Sequence, residues 1–164
     1  MKFRMMLAAL LLAAGLVSVT GCGKAKNGTD NAKTETKVAT EADKAVEICK
    51  KFAAAMERSD FYNAAKYCTG DRERQVRLSG DCLREARLSG QPVAVEMFSF
   101  DKNTRLRVKD GVLEGDKVKV SVDRVKEDSS GNITKVEGYY MLRKNIDGEW
   151  KIYEEKFVSE KKGK

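Results

Sequence analysis

The stretch KVKVSVDRVKEDSSGNITKVEGYYMLR, Lys117–Arg143, alternates apolar and polar residues on both sides of a turn. Val118, Val120 and Val122 alternate with Lys117, Lys119, Ser121 and Asp123. Val136, Gly138, Tyr140 and Leu142 alternate with Lys135, Glu137, Tyr139 and Arg143. Successive side chains of a strand point to opposite faces, so each set predicts a strand with one buried face and one wet face. Ser129-Ser130-Gly131-Asn132 supplies the turn between them, which makes the pair antiparallel. The same period continues outward. Leu106 and Val108 alternate with Arg105, Arg107 and Lys109, and Trp150 and Ile152 with Lys151 and Tyr153. Glu114-Gly115-Asp116 and Asp147-Gly148 separate these runs as further turns. The apolar-rich run Val93–Phe100, after Pro92, reads as one more strand, for a sheet of four to five.

Before Pro92 the period is helical. Ala42, Ala45, Val46, Cys49, Phe52, Ala53 and Met56 share one face of a helix ending near Ser59. Thr40 is its N-cap, with Asp43 as the acidic partner. Asp60 caps a second, shorter helix with the stripe Phe61, Ala64, Ala65 and Cys68, and Gly70 is placed to end it. Asp71–Leu88 reads as one helix broken at Gly80 or as two short ones. Its arginines (Arg72, Arg74, Arg77, Arg84 and Arg87) read as a solvated face paired with Glu73 and Glu85 rather than an anion site. Helices followed by a meander of antiparallel strands define an α+β fold with the helices on one sheet face.

ERSDFYNAAKYC, residues 57–68, and RKNIDGEWKIYE, residues 143–154, carry a resemblance across residues 41–158. They resemble small envelope lipoproteins of the nuclear-transport-factor-two-like (cystatin-like) superfamily, whose domains often have no known function. Gly148-Glu149-Trp150-Lys151-Ile152 matches the opening of that family's final strand. The resemblance implies a curved antiparallel sheet wrapped on a long helix, forming a cone that can hold a ligand. Tyr140, Trp150 and Tyr62 are the candidate pocket residues.

At the other end, Lys2 and Arg4 precede an apolar run, Met5–Val17. As a helix this run reaches roughly 20 Å, too short for a permanent span and suited to a signal-peptide core. Val19-Thr20-Gly21-Cys22 is similar to the lipobox of bacterial lipoproteins. That resemblance implies diacylglyceryl transfer to the Cys22 sulfur and cleavage before it, with residues 1–21 as the signal peptide. The partner is then a lipid membrane, and the location is the cell envelope outside the cytoplasm. Gly23, where an Asp would mark inner-membrane retention, leans toward an outer membrane if the cell has one. Residues 22–40 are polar and small, a tether spanning on the order of 20–25 Å as a coil. Residues 41–158 form one domain and 159–164 a charged tail.

The formal charge of +7 is spread among interleaved acids and bases, so no nucleic-acid footprint is expected. Cys22 aside, the cysteines are Cys49, Cys68 and Cys82, with no C-x-x-C pair. If the first two helices fold back at Ser59, Cys49 and Cys68 reach the same level, favouring a bridge between them over Cys68–Cys82. Three buried thiols is the alternative. The chain has no histidine, which removes imidazole bases, imidazole metal ligands and Ser-His or Cys-His nucleophiles. No phosphate loop, metal site or cofactor motif is present in the sequence. An Asp–Tyr site of the kind some superfamily enzymes use needs an inward-facing acid. The inward positions Val118, Val120, Val122, Val136, Tyr140, Leu142, Trp150 and Ile152 supply none. The expectation is therefore a non-catalytic domain for a small apolar ligand or an envelope partner. The alternative is an isomerase or hydratase type of enzyme using a buried acid and a tyrosine.

Overall fold

A computed structural model of the chain describes residues 39–158. The expected signal peptide, Cys22, most of the tether and the charged tail lie outside the described residues. The described part runs α1 (Glu41–Glu57), α2 (Phe61–Ala65), α3 (Gly70–Leu88), α4 (Pro92–Phe98), then β1 (Thr104–Glu114), β2 (Lys117–Glu127), β3 (Ile133–Lys144) and β4 (Trp150–Phe157). The strands form a four-stranded antiparallel meander in the order β1-β2-β3-β4. The fold class is α+β, with the helices first and packed on one sheet face.

α1 begins where its cap dictates. The Thr40 hydroxyl accepts from the Asp43 amide at 3.1 Å, and the Asp43 carboxylate accepts from the Thr40 amide at 2.9 Å. Ala45, Cys49, Phe52, Ala53 and Ala55 carry its buried face. All of these except Ala53 join one core with Val118, Val120, Val122, Tyr140, Leu142, Trp150 and Ile152 from the sheet, the alternating positions of the sequence. Fully burying one large apolar side chain contributes about 1.5–3 kcal/mol, so this shared face holds the domain together. The chain reverses at Ser59, whose φ of 56° lies in the left-handed region. The strain is offset locally, because the Ser59 hydroxyl accepts from the Phe100 amide at 2.8 Å and Asp60 caps α2 through Asn63. Glu57 accepts from the Leu106 amide at 2.8 Å, which ties the end of α1 to edge strand β1.

Three local expectations are corrected. Val93–Phe98 is helical, not extended. Pro92 occupies the first helical turn, where its fixed φ starts a helix and its missing N–H costs nothing. The apolar run stays outside the sheet, and Val93 and Met97 remain exposed. α2 ends at Ala65, and Gly70, at φ +62°, opens α3 instead of closing α2. The segment between them pairs with the sheet: Ile152 donates to the Tyr67 carbonyl and Thr69 to the Ile152 carbonyl, both at 2.9 Å, alongside β4. Finally, α3 passes through Gly80 unbroken. Gly80 is buried, and a Cβ there would sit 3.2 Å from the Phe61 Cβ and 3.3 Å from the Tyr62 ring. The glycine lets α2 and α3 approach each other.

Candidate functional site: a tyrosine, a carboxylate and two arginines at a β-bulge

Strict alternation from Trp150 and Ile152 places Glu155 on the outer face of β4. The structure places it inside. The β3–β4 register runs Leu142↔Ile152, then Met141↔Glu154 and Tyr140↔Glu155, so Tyr153 is an extra residue in β4. A bulge of this kind resets which face each following residue takes. Glu155 and Phe157 therefore share the inner face with Tyr140, and the inward acid that the sequence did not reveal is present. The apolar Phe157, out of phase with Trp150 and Ile152, is the one sequence signal of this switch.

Glu155 is held by two guanidinium groups. Arg72, from the first turns of α3, makes a close ion pair with it, both side chains being largely buried. Arg124, from β2, reaches its other oxygen at 3.5 Å. The cations also rest on rings, Arg72 5.6 Å from the Phe52 centroid and Arg124 4.0 Å from that of Phe157. Tyr140 is fully buried between Phe52 and Phe157, both edge-on, with centroids at 5.3 and 6.3 Å. Burial first, and the Glu155 charge second, push its phenol well above the usual range, so it stays protonated. Its hydroxyl and the Arg72 Nε are buried with no hydrogen-bond partner among the described residues. A buried donor left unpaired costs about 1–3 kcal/mol. The arrangement thus holds two unspent donors beside a carboxylate already committed to two cations.

The expected pocket residues do not come together. Tyr140 lies in the sealed core. Trp150 is buried, donates from Nε1 to Glu41 at 3.0 Å, and borders a cleft of about 820 Å³ with Val46, Ile48 and Tyr67. Tyr62 stands elsewhere, 40% exposed, and donates to Asp81 at 2.6 Å. Its neighbours Arg58, Arg84 and Arg87 line a separate cleft of about 280 Å³. Cys49, Cys68 and Cys82 are all free thiols, the first two buried. Burial, with the nearby Cys68 sulfur, raises the Cys49 thiol, and burial pushes Cys68 up to about 12. The arginines of α3 divide. Arg74, Arg77 and Arg84 pair with neighbouring acids on an exposed face as expected, whereas Arg72 turns inward.

Among the described residues no group of three or more Cys, Asp or Glu is arranged to hold a metal ion. None of the described helices is long and apolar enough to cross a membrane.

No protein-family model matches the chain, and no curated protein matches it. Several solved structures resemble it at low identity. The protein Rd1NTF2_05, in a multiply substituted form, is 15% identical with a TM-score of 0.48, covering 73% of this chain and 100% of that one. A SEC-C motif containing protein from Rhodopseudomonas palustris is 16% identical with a TM-score of 0.44, covering 70% of this chain and 81% of its own. The iota-carbonic anhydrase from a cyanobacterium, complexed with bicarbonate, is 15% identical with a TM-score of 0.34, covering 71% and 83%. None of these likenesses bears on activity.

Proposed function

We propose that the protein is a lipid-anchored lipoprotein of the cell envelope, attached through acylated Cys22. In this reading residues 41–158 are a nuclear-transport-factor-two-like domain that binds a small apolar ligand or an envelope partner without catalysis. One observation carries the non-catalytic part. The interior where the family would hold a substrate is filled by Tyr140, which has no exposed surface. The carboxylate beside it is committed to Arg72 and Arg124. Binding then falls to the cleft beside Trp150 and Tyr67, whose apolar floor is rimmed by Lys44, Lys51 and Lys66. Native mass spectrometry of the protein extracted from its own membrane tests this reading. Added mass that disappears when Ile48→Glu obstructs the cleft supports it. A bare mass with no co-purifying protein overturns the binding role. Metabolic labelling with a clickable fatty acid tests the anchor, and the wild type should be marked where Cys22→Ala is not.

A second reading, an enzyme of the isomerase or hydratase type, is favoured by a single feature. The bulge sets an acid opposite a buried tyrosine whose hydroxyl is unpaired. Conversion of enolisable ketones or enoyl compounds by the wild type, abolished in Glu155→Gln with the fold intact, would establish it in place of the first.

A further inference from the structure

α1 packs on β1, β2 and β4, and α3 on β4, all on the inner side of the sheet. None of the described elements packs on the outer side. The register defines what that side presents. Arg107 lies opposite Asp123, Lys117 opposite Arg143, Lys119 opposite Met141, and Tyr139 opposite Lys156. Directly opposed residues share a face, so these side chains form one surface. Its acids are few. Asp123 is buried beneath Lys109 and Lys135, at 2.7 and 3.3 Å, and Glu137 is paired with Lys135. Glu114, Glu127 and Glu154 lie towards its margins, opposite Lys117, Ile133 and Met141.

The remaining cations outnumber these acids and are held in no direct ion pair. Arg105, Arg107, Lys117, Lys119, Arg143 and Lys156 make no ion pair among the described residues, unlike Arg74, Arg77 and Arg84 on α3. Several of them lie over exposed-side rings instead. Lys119 Nζ is 4.7 Å from the Tyr139 centroid, and Arg143 and Lys117 approach Tyr153 at 5.1 and 5.8 Å. Basic heads beside half-buried tyrosines on an uncovered sheet present positive charge together with amphipathic rings. That combination suits the headgroup layer of an anionic bilayer.

We propose that this outer sheet face docks on an anionic lipid surface. The occupant is the phosphate headgroups of the membrane, recognised by complementary charge. The inference extends the anchored reading without depending on it, because the face is built by the folded domain whether or not Cys22 is acylated.

The test uses the chain from residue 22 onward carrying Cys22→Ala, so that no acyl chain contributes. Co-sedimentation is measured with vesicles of phosphatidylglycerol and phosphatidylcholine, and with phosphatidylcholine alone, at low and high salt. Binding to the mixed vesicles only, lost as salt rises, is expected. Lys119→Glu combined with Arg143→Glu should weaken partition by at least about tenfold, since each cation near an anionic leaflet is worth a factor of roughly five. Lys119→Gln with Arg143→Gln, a milder change, should give an intermediate loss and keeps the test decisive if the reversal fails to fold. Arg74→Glu with Arg84→Glu on α3 should change partition far less. Equal binding to neutral vesicles overturns the proposal, as does an α3 variant that loses as much as the sheet variant. Binding to soluble heparin that depends on Lys119 and Arg143, with no binding to vesicles, overturns the lipid occupant. Failure of Cys22 labelling leaves this result unaffected, so the two readings fail separately.

Discussion

At the scale of single residues, Tyr140 shows how a core position can look like a functional one. Its hydroxyl is buried without a partner among the described residues, so removing it should cost little. Tyr140→Phe should leave stability unchanged or raise it by up to about 1–3 kcal/mol in urea unfolding, the cost of an unpaired buried donor. A marked loss would show that the hydroxyl is hydrogen-bonded in solution. Glu41 is a second case. Hydrogen bonds from Lys144, Lys44 and the Trp150 indole, in that order, hold its carboxyl at about 2 against an ordinary 4.5. A carboxylate held low in the folded state stabilises above its unfolded value and loses that contribution as pH falls through the folded one. Glu41→Gln should therefore be less stable than wild type at neutral pH, and the gap should close between pH 4.5 and about 2 in thermal melts. The thiols give a third outcome. In the unacylated Cys22→Ala chain, Cys82 should react with a thiol reagent in the native state. Cys49 and Cys68, buried and held protonated, should react only after denaturation. If denaturation without reductant releases no further thiols, the two are bridged in the cell.

At the scale of elements, the sheet depends on one close approach. Gly138 on β3 lies against β4, and a Cβ there would sit 2.4 Å from both the Lys156 carbonyl and the Phe157 ring. Backbone cannot yield as a flexible side chain can, so Gly138→Ala should destabilise the domain by about 1–3 kcal/mol or more. Hydrogen exchange should show β4 opening first. The helix boundaries show how far local signals reach. The Thr40–Asp43 cap, the stripe on α1 and the alternation in β2 and β3 were legible, because each is written in neighbouring residues and confirmed by a repeat. α4 was not. Val93–Phe98 carries strand-forming residues, and only the position of Pro92 and the presence of α3 alongside favour a helix. Gly80 misled for the opposite reason. Glycine weakens a helix locally, yet here it is held by tight packing on Phe61 and Tyr62.

At the scale of the whole molecule, the described domain has a buried apolar interior, and its outer sheet carries a set of cations held in no ion pair among the described residues. If Cys22 carries the acyl chains, Cys22→Ala should move the protein from the membrane to the soluble fraction at physiological salt, the outer face alone holding it only weakly. Retention of most of the protein on the membrane would place the principal attachment in the folded domain. The sequence by itself determined that helices precede a meander of antiparallel strands, which side chains of β2 and β3 face inward, and that this chain offers no imidazole. These follow from composition and from periods of two and 3.6, which are local properties. Only the tertiary structure decided that Glu155 turns inward beside Tyr140, that Arg72 leaves the solvated arginines of α3 to meet it, and that Tyr62, Tyr140 and Trp150 lie in separate places. A bulge shifts the facing of every residue after it, and only the pairing of β4 with β3 fixes where that extra residue sits.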